Sequence, residues 1–193
     1  SSLFAAATSD KSGELNRQAL EKTEAIKSFF REAKAYLQET THTATNLKLE
    51  AVKGPFDNSR KLFIHAGEVK QMLLAIDFVE EVGFNVVIVG GEASWQIAPL
   101  LKANNIAVIL NAAHRLPFTE DEDYDQPFKT PAILQKAGVL FALNDDANNA
   151  RYRNLAFNAG TAAAFGLTKE EALSAITLNA AKILGIDAKT GSI

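Results

Sequence analysis

The sequence has no cysteine, no long apolar run and no excess of basic charge. Its 193 residues include one Met and one Trp but no Cys. Disulfides, thiolate zinc ligands and thiol nucleophiles are therefore excluded. The apolar runs, such as residues 139–143, are far shorter than the roughly 20 residues that cross a bilayer. The 20 basic and 23 acidic residues give a net charge of −3. This balance offers no basic field for a phosphate backbone, so we expect neither a membrane nor a nucleic acid as partner.

The length and the first residues bear on domain organisation. A chain of this length matches one domain on the usual range of about 100–200 residues, so residues 1–193 are predicted to form one structural unit. The start at Ser1-Ser2 has neither an initiator Met nor a charged signal-peptide region, which predicts a processed or truncated end. The compartment stays open between cytoplasm and periplasm, because cysteine-free chains occur in both.

Hydrophobic periodicity predicts a long helix followed by alternating strands and helices. Residues 11–38 carry apolar side chains at three- and four-residue steps, which predicts an amphipathic helix. Four short apolar runs follow, and we expect strands at residues 62–64, 84–89, 106–110 and 139–143. The segments between them have helical spacing over residues 68–82 and 93–103. Alternation of this kind predicts an α/β fold with parallel βα units.

Capping residues predict where the later helices begin and end. Thr130 and Pro131 have the types preferred at the N-cap and first position of a helix, and Gly138 is a typical stop. A capping box over residues 168–171 predicts a further helix that continues toward Leu184 and Gly185. Residues 38–46, with four Thr and one His, have little periodicity and are expected to form a connector.

Polar residues follow the predicted strands, at the edge where parallel α/β folds bind ligands. These residues are His65 with Glu68, Gly90-Gly91-Glu92, Asn111 with His114, and Asn144-Asp145-Asp146. Imidazole and carboxylate groups together can hold a divalent ion that activates water for hydrolysis. Structural roles stay open beside this one: hydrogen-bonded strand-end histidines, loop or N-cap aspartates, and a tight turn at Gly90-Gly91 in place of an anion site. The acidic residues 120–125 fit a solvated loop or a lid.

Several of these segments together resemble the C-terminal half of metal-dependent amidohydrolases of the imidazolonepropionase-related group. The resemblance covers about residues 46–193. It rests on Ile64-His65-Ala66, residues 87–92 with Trp95, residues 110–117, Tyr124-Asp125-Gln126-Pro127-Phe128, residues 131–138 and 141–146, Arg153-Asn154-Leu155, and above all residues 175–185 with Gly191-Ser192-Ile193.

The resemblance implies about half of a (β/α)8 TIM-type barrel. Residues 46–193 would contain strands five to eight with their helices, and the long helix at 11–38 would be the preceding barrel helix. It also implies a divalent metal, expected to be zinc, that activates water to hydrolyse an amide or cyclic amide C–N bond of a small molecule. By motif, His65 is the fifth-strand metal ligand. Asp145 is the eighth-strand residue that binds metal or acts as general base, with Asp146 as its substitute. His114 and Asn144 are candidate substrate-binding residues.

The sequence also departs from the pattern that the resemblance implies. No His-x-His pair is present, because His42 stands alone between threonines, and Gly90 occupies the sixth-strand position where many members have His. The chain stops at Gly-Ser-Ile, where members continue into a small β-domain. These departures predict a fragment, inactive in isolation, whose open barrel edges are covered by a second copy in a homo-oligomer or by further residues.

Two alternatives to the hydrolase stay open at this stage. The first is a catalytically silent relative that keeps the barrel as a binding or scaffolding module, which Gly90 and the missing His-x-His pair favour. The second sets the resemblance aside and interprets the chain as a complete, doubly wound α/β ligand-binding domain.

Overall fold

The structure of the protein is a computed structural model, which describes residues 13–39, 44–111, 113–117, 122–145 and 152–192. The described elements alternate between helices and strands after an initial group of helices. In chain order they are α1 (Gly13–Gln38), α2 (Leu47–Glu50), α3 (Lys53–Phe56), β1 (Leu62–Ala66), α4 (Val69–Val82), β2 (Val86–Gly90), α5 (Ala98–Ala103), β3 (Ala107–Leu110), α6 (Gln126–Ala137), β4 (Phe141–Leu143), α7 (Leu155–Ala164), α8 (Lys169–Ile176) and α9 (Leu178–Leu184). Short 3-10 helices cover Ser94–Ile97 and Tyr152–Asn154.

The four strands form one parallel sheet in the order β1-β2-β3-β4. Each strand therefore pairs with the next strand along the chain, as in a (β/α)8 barrel. A doubly wound sheet instead reverses its strand order at a switch point. The described strands show no such reversal, so the doubly wound alternative is wrong. The predicted α/β class with parallel βα units is confirmed, and the arrangement is consistent with part of a TIM-type barrel.

The two faces of the sheet pack against different helices. One face, with Ile88, Val108 and Phe141, packs against a helical layer that includes Met72 of α4 and Leu134 of α6. The other face, with Val87, Ala107 and Ala142, packs against Ile183 of α9. Both faces are covered along β2, β3 and β4, which explains why these strands are continuous apolar runs instead of alternating patterns.

The long helix α1 is attached to the first βα unit by aromatic packing. The ring of Phe30 lies 5.5 Å from that of Phe78 on α4 and 5.1 Å from that of Phe84, which precedes β2. Lys27 and Arg31 contact the carboxylate of Glu81 at 3.2 Å each. The predicted helix at 11–38 is confirmed over Gly13–Gln38, whereas residues 11 and 12 lie outside the described residues.

The prediction for the start of α6 is wrong. The helix begins at Gln126, four residues before the expected N-cap at Thr130, and Pro127 takes an early position where a missing N–H costs little. Thr130 lies inside the helix and its hydroxyl donates to the carbonyl of Gln126 at 2.9 Å. Pro131 is also internal, where it removes one backbone hydrogen bond. The predicted stop at Gly138 is confirmed, with a left-handed φ of 73°.

Other predicted boundaries also change, and the strands expected at 84–89, 106–110 and 139–143 are observed as β2, β3 and β4 with the bounds given above. Strand β1 continues to Ala66, so His65 lies within the strand and not after it. The helix predicted over residues 93–103 consists of a 3-10 turn and the six-residue α5. The capping box at Thr168 is confirmed, but the helix that it begins ends at Ile176. Thr177 has a φ of −130° and a ψ of −89°, which separates α8 from α9.

Candidate active site

His65 and Asp145 lie at the carboxyl edge of the sheet, on its two outer strands. His65 is the penultimate residue of β1, and Asp145 is the second residue after β4. Three steps between neighbouring strands of about 4.8 Å each place them about 14 Å apart along the sheet. Curvature of the sheet around a common axis, as in a barrel, shortens the direct separation of the two strand ends, so that both residues could reach one ion.

The strand register relates the heights of these two residues. His65 is level with Val89, which is level with Ile109, which in turn is level with Ala142. Asp145 lies three residues beyond Ala142, so the offset is about one residue for each strand crossed. An eight-stranded barrel with a shear of eight has a stagger of this size. The offset between the two residues therefore matches, in size, the stagger of a TIM-type barrel.

The surroundings of His65 and Asp145 differ. Alternation along β1 buries Ile64 and Ala66 against the helical layer and places His65 on the other face, together with Phe63, which is 41% exposed. Asp145 is only 3% exposed. The backbone N–H of Asn144 donates to the carbonyl of Leu110 at 2.8 Å, which continues the ladder one residue beyond β4. Two other residues, His42 and Asp146, lie outside the described residues. Asp146 is the residue that would substitute for Asp145.

A close turn between β2 and the following 3-10 helix carries Glu92. The N–H of Gly91 donates to the carbonyl of Ala66 at 2.8 Å, and φ is 110° at Gly90 and 62° at Gly91. A Cβ built at Gly91 would lie 2.5 Å from Cγ1 of Val108. Glycine is required here because the backbone is left-handed and passes close to β3. The structure therefore has a tight turn at Gly90-Gly91, which is the first of the two interpretations, a tight turn or an anion site.

His114 follows β3 and contacts the helical layer. Its Nε2 atom lies 3.2 Å from the hydroxyl of Thr161 on α7, and its ring lies 5.3 Å from that of Phe128 on α6. It remains exposed at the same edge of the sheet as Asn144. The substrate-binding roles of His114 and Asn144 stay predictions, because the structure fixes only their positions.

Two polar pairs at this edge were not recognised as pairs from the sequence. The side-chain amide of Asn111, after β3, donates to Oε1 of Glu92, after β2, at 2.8 Å. The guanidinium of Arg115 donates two hydrogen bonds to the carboxylate of Glu122, at 2.8 and 3.1 Å. The Glu122 side chain is only 5% exposed, so this part of the acidic segment is not a solvated loop. Glu120 and Asp121 lie outside the described residues.

A narrow cleft opens between the carboxyl ends of β2, β3 and β4 and the start of α6. Glu92, Asn111 and Arg115 supply its polar atoms, while its apolar walls are formed by Leu110, Leu143, Pro127 and Pro131. The cavity volume is about 20 Å³, which admits a group of about the size of one water molecule.

The described residues do not by themselves fit a complete metal centre. A zinc site in a protein takes three or four protein ligands of the His, Cys, Asp or Glu type. Within the described ranges, no three such residues come together in a way that could hold a metal ion. His65 and Asp145 would each supply one ligand, and Gly90 offers no side chain at the end of β2.

None of the helices in the described ranges is long and apolar enough to cross a membrane.

Comparison with known proteins defines the fold further. No protein-family model matches the sequence, and no curated protein matches it. A crystal structure of an amidohydrolase from Thermotoga maritima MSB8 matches 94% of the chain, with a TM-score of 0.73 and 27% sequence identity. The chain has an amidohydrolase-like fold. It spans 52% of the length of that Thermotoga protein, and membership of the imidazolonepropionase-related group stays a prediction.

Proposed function

We propose that this chain forms part of an amidohydrolase barrel that hydrolyses an amide or cyclic amide C–N bond in a small molecule. The observation that carries the proposal is the match to the Thermotoga amidohydrolase over nearly the whole chain. The position of the polar residues supports it, since His65, Glu92, Asn111 and Asp145 all lie at the edge where barrel enzymes bind substrates. An imidazolonepropionase-like substrate is the finer form of this proposal.

The metal-dependent part of the proposal assigns His65 and Asp145 as two ligands of one divalent ion, zinc in the first instance. The stagger of the sheet supports this pairing in size, because an offset of about one residue for each strand matches that of a TIM-type barrel. The remaining ligands would come from residues outside the described ranges or from another polypeptide. Asp145 is the better candidate for a general base, because its carboxylate is buried beside the strand ends.

The same geometry supports a proposed homo-oligomer. Within the described ranges, β1 and β4 are the outer strands of the sheet, and each pairs with one neighbour only. An outer strand presents backbone N–H and C=O groups that bind another strand readily. A second copy, or further strands of the same protein, would satisfy these groups and bring additional side chains to the edge that carries His65 and Asp145.

A catalytically silent barrel is the second candidate function. One observation favours it: β2 ends in Gly90, and the space where a side chain would project is occupied by the Glu92 carboxylate and the Ala66 carbonyl, each 3.1 Å from an ideal Cβ. This strand end therefore offers no imidazole. A binding or scaffolding module would keep the fold and the substrate cleft without hydrolysis.

Zinc-binding calorimetry and an amidase assay on the full gene product test the proposal. We expect tight zinc binding and hydrolysis of at least one member of a panel of cyclic and linear amides. His65→Ala should abolish both. His114→Ala is the matched control for metal binding, since it removes a histidine at the same edge that contacts Thr161 and Phe128. Zinc binding that is unaffected by His65→Ala would contradict the site assignment. Zinc binding without hydrolysis of any amide would favour the silent module.

A further inference from the structure

The cleft beside Glu92 has a charge and a shape that select one class of chemical group. Glu92 reaches into it from the turn after β2, and Asn111 fixes the carboxylate through Oε1 at 2.8 Å. Among the described residues, no hydrogen bond is made to the second oxygen, Oε2. That oxygen lies 3.1 Å from the position of an ideal Cβ on Gly90. Because glycine has no Cβ, Gly90 leaves space for the Glu92 carboxylate.

Among the described residues that line the cleft, the other charged side chain does not neutralise Glu92. Arg115 lines the cleft, but its guanidinium is bound by two hydrogen bonds to Glu122. The positive charge of Arg115 is thus balanced by Glu122, whereas Asn111 is uncharged. Counted over the described residues, Glu92 therefore leaves the cleft with a net negative charge. The apolar walls of Leu110 and Leu143 reduce contact with water and so strengthen the attraction of that charge for a cation.

The size of the cleft restricts the cation. A cavity volume of about 20 Å³ admits one group of about the size of a water molecule. A primary ammonium group is of this size and donates three hydrogen bonds, as the lysine side chain does. A guanidinium is larger and planar, and a carboxylate would be repelled by Glu92. The geometry therefore favours a primary ammonium over an acidic group.

We propose that Glu92, positioned by Asn111, is a specificity residue that binds a primary ammonium group of the substrate. This inference rests on the proposed function, and it restricts the substrate to amides that also carry a primary amine. The ammonium donates to Oε2 of Glu92 while Asn111 holds Oε1. The amide to be hydrolysed would lie outside the narrow cleft, toward the strand ends that carry Asp145.

Methylammonium is the probe for a test by NMR on the ¹⁵N-labelled chain, and tetramethylammonium is the matched control, with the same charge but no N–H and a larger size. We expect methylammonium to cause saturable shifts of the Asn111 side-chain amide and the Gly91 backbone amide, and tetramethylammonium to cause none. Glu92→Gln should weaken methylammonium binding about tenfold or more, since it removes a charged hydrogen-bond acceptor. Glu170→Gln should not, because it removes the same charge from the exposed start of α8.

Equal shifts with both cations would mean a nonspecific effect of charge and would overturn the proposal. The absence of saturable shifts with methylammonium, or unchanged binding in Glu92→Gln, would overturn it as well. If Glu92→Gln does not fold, the comparison of the two cations on the natural chain still decides the matter. The assay needs neither zinc nor turnover, so its failure is distinguishable from a failure of the proposed hydrolysis.

Discussion

Replacing Gly91 by Ala should destabilise the protein more than replacing Gly83, although both residues have positive φ. Gly83 ends α4 with a φ of 81°, and a Cβ built there meets nothing within 4 Å. Gly91 has a φ of 62°, but its Cβ would lie 2.5 Å from Cγ1 of Val108. Carbon atoms in contact prefer a separation of about 3.5–4.0 Å. Alanine at position 91 therefore has to displace the turn or the fully buried Val108 side chain of β3.

The two replacements differ by the cost of this overlap. A left-handed conformation costs an L-residue about 1–2 kcal/mol, and this cost applies to both variants. Overpacking in a core adds about 1–3 kcal/mol, and it applies to Gly91→Ala alone. We expect losses of about 1–2 kcal/mol for Gly83→Ala and about 2–5 kcal/mol for Gly91→Ala.

Urea denaturation measures both losses, with the fluorescence of Trp95, the one tryptophan of the chain, and far-UV circular dichroism as probes. Coincident transitions by the two probes would justify a two-state treatment. Equal losses in the two variants would refute the close approach of the turn to β3. The turn would then not hold Glu92 in the way described above.

Two further predictions concern the core and the helix caps. Phe141→Ala should lower the free energy of unfolding by about 3–5 kcal/mol, because this ring is fully buried in β4. Phe157→Ala, at a ring that is 72% exposed, is the control and should change it by less than about 0.5 kcal/mol in the same urea experiment. Backbone and hydroxyl hydrogen bonds from Thr168 lower the pKa of Glu171, with a smaller contribution from Gln135. The ionised carboxylate therefore contributes stability above its unfolded pKa, which is lost as the pH falls through the lowered folded pKa. Glu171→Gln should therefore lose less stability than the natural chain when the pH falls from about 6 to about 3.5. The measurement is the change of the urea midpoint between these two pH values. An equal change in the variant and the natural chain would contradict the capping role.

Local patterns made much of the fold predictable from the sequence. The apolar stripe of α4, the capping box at Thr168 and the stop at Gly138 depend on residues that are neighbours in the chain, so periodicity and cap preferences reveal them. The position of His65 and Asp145 at one edge followed from the parallel sheet. This inference needed only the rule that parallel strands end on the same side.

The boundaries that were wrong depend on contacts between distant segments. His65 interrupts the apolar run of β1, but pairing with β2 extends the strand to Ala66. The sequence offers two prolines that suit the first turn of α6, Pro127 and Pro131, and only the fold selects between them. In each case a contact with a segment distant in the sequence determines where the element begins or ends, and the local sequence does not reveal that contact.

The polar pairs of the candidate site were unpredictable for the same reason. Glu92 and Asn111 are 19 residues apart and meet because they follow neighbouring strands. The sequence identified both as strand-end residues but gave no measure of their distance. Arg115 and Glu122 pair across a segment of the chain with no helical or strand periodicity, so no pattern rule relates them.

The most direct test of the account is a crystal structure of the full gene product grown with zinc. The account predicts anomalous density for one ion bound by an imidazole nitrogen of His65 and a carboxylate oxygen of Asp145, each at about 2.0–2.2 Å. It also predicts that further ligands come from residues beyond the described ranges or from another polypeptide. Zinc density elsewhere, or a fully formed barrel in which His65 and Asp145 do not share an ion, would contradict the assignment of these two residues as its metal ligands.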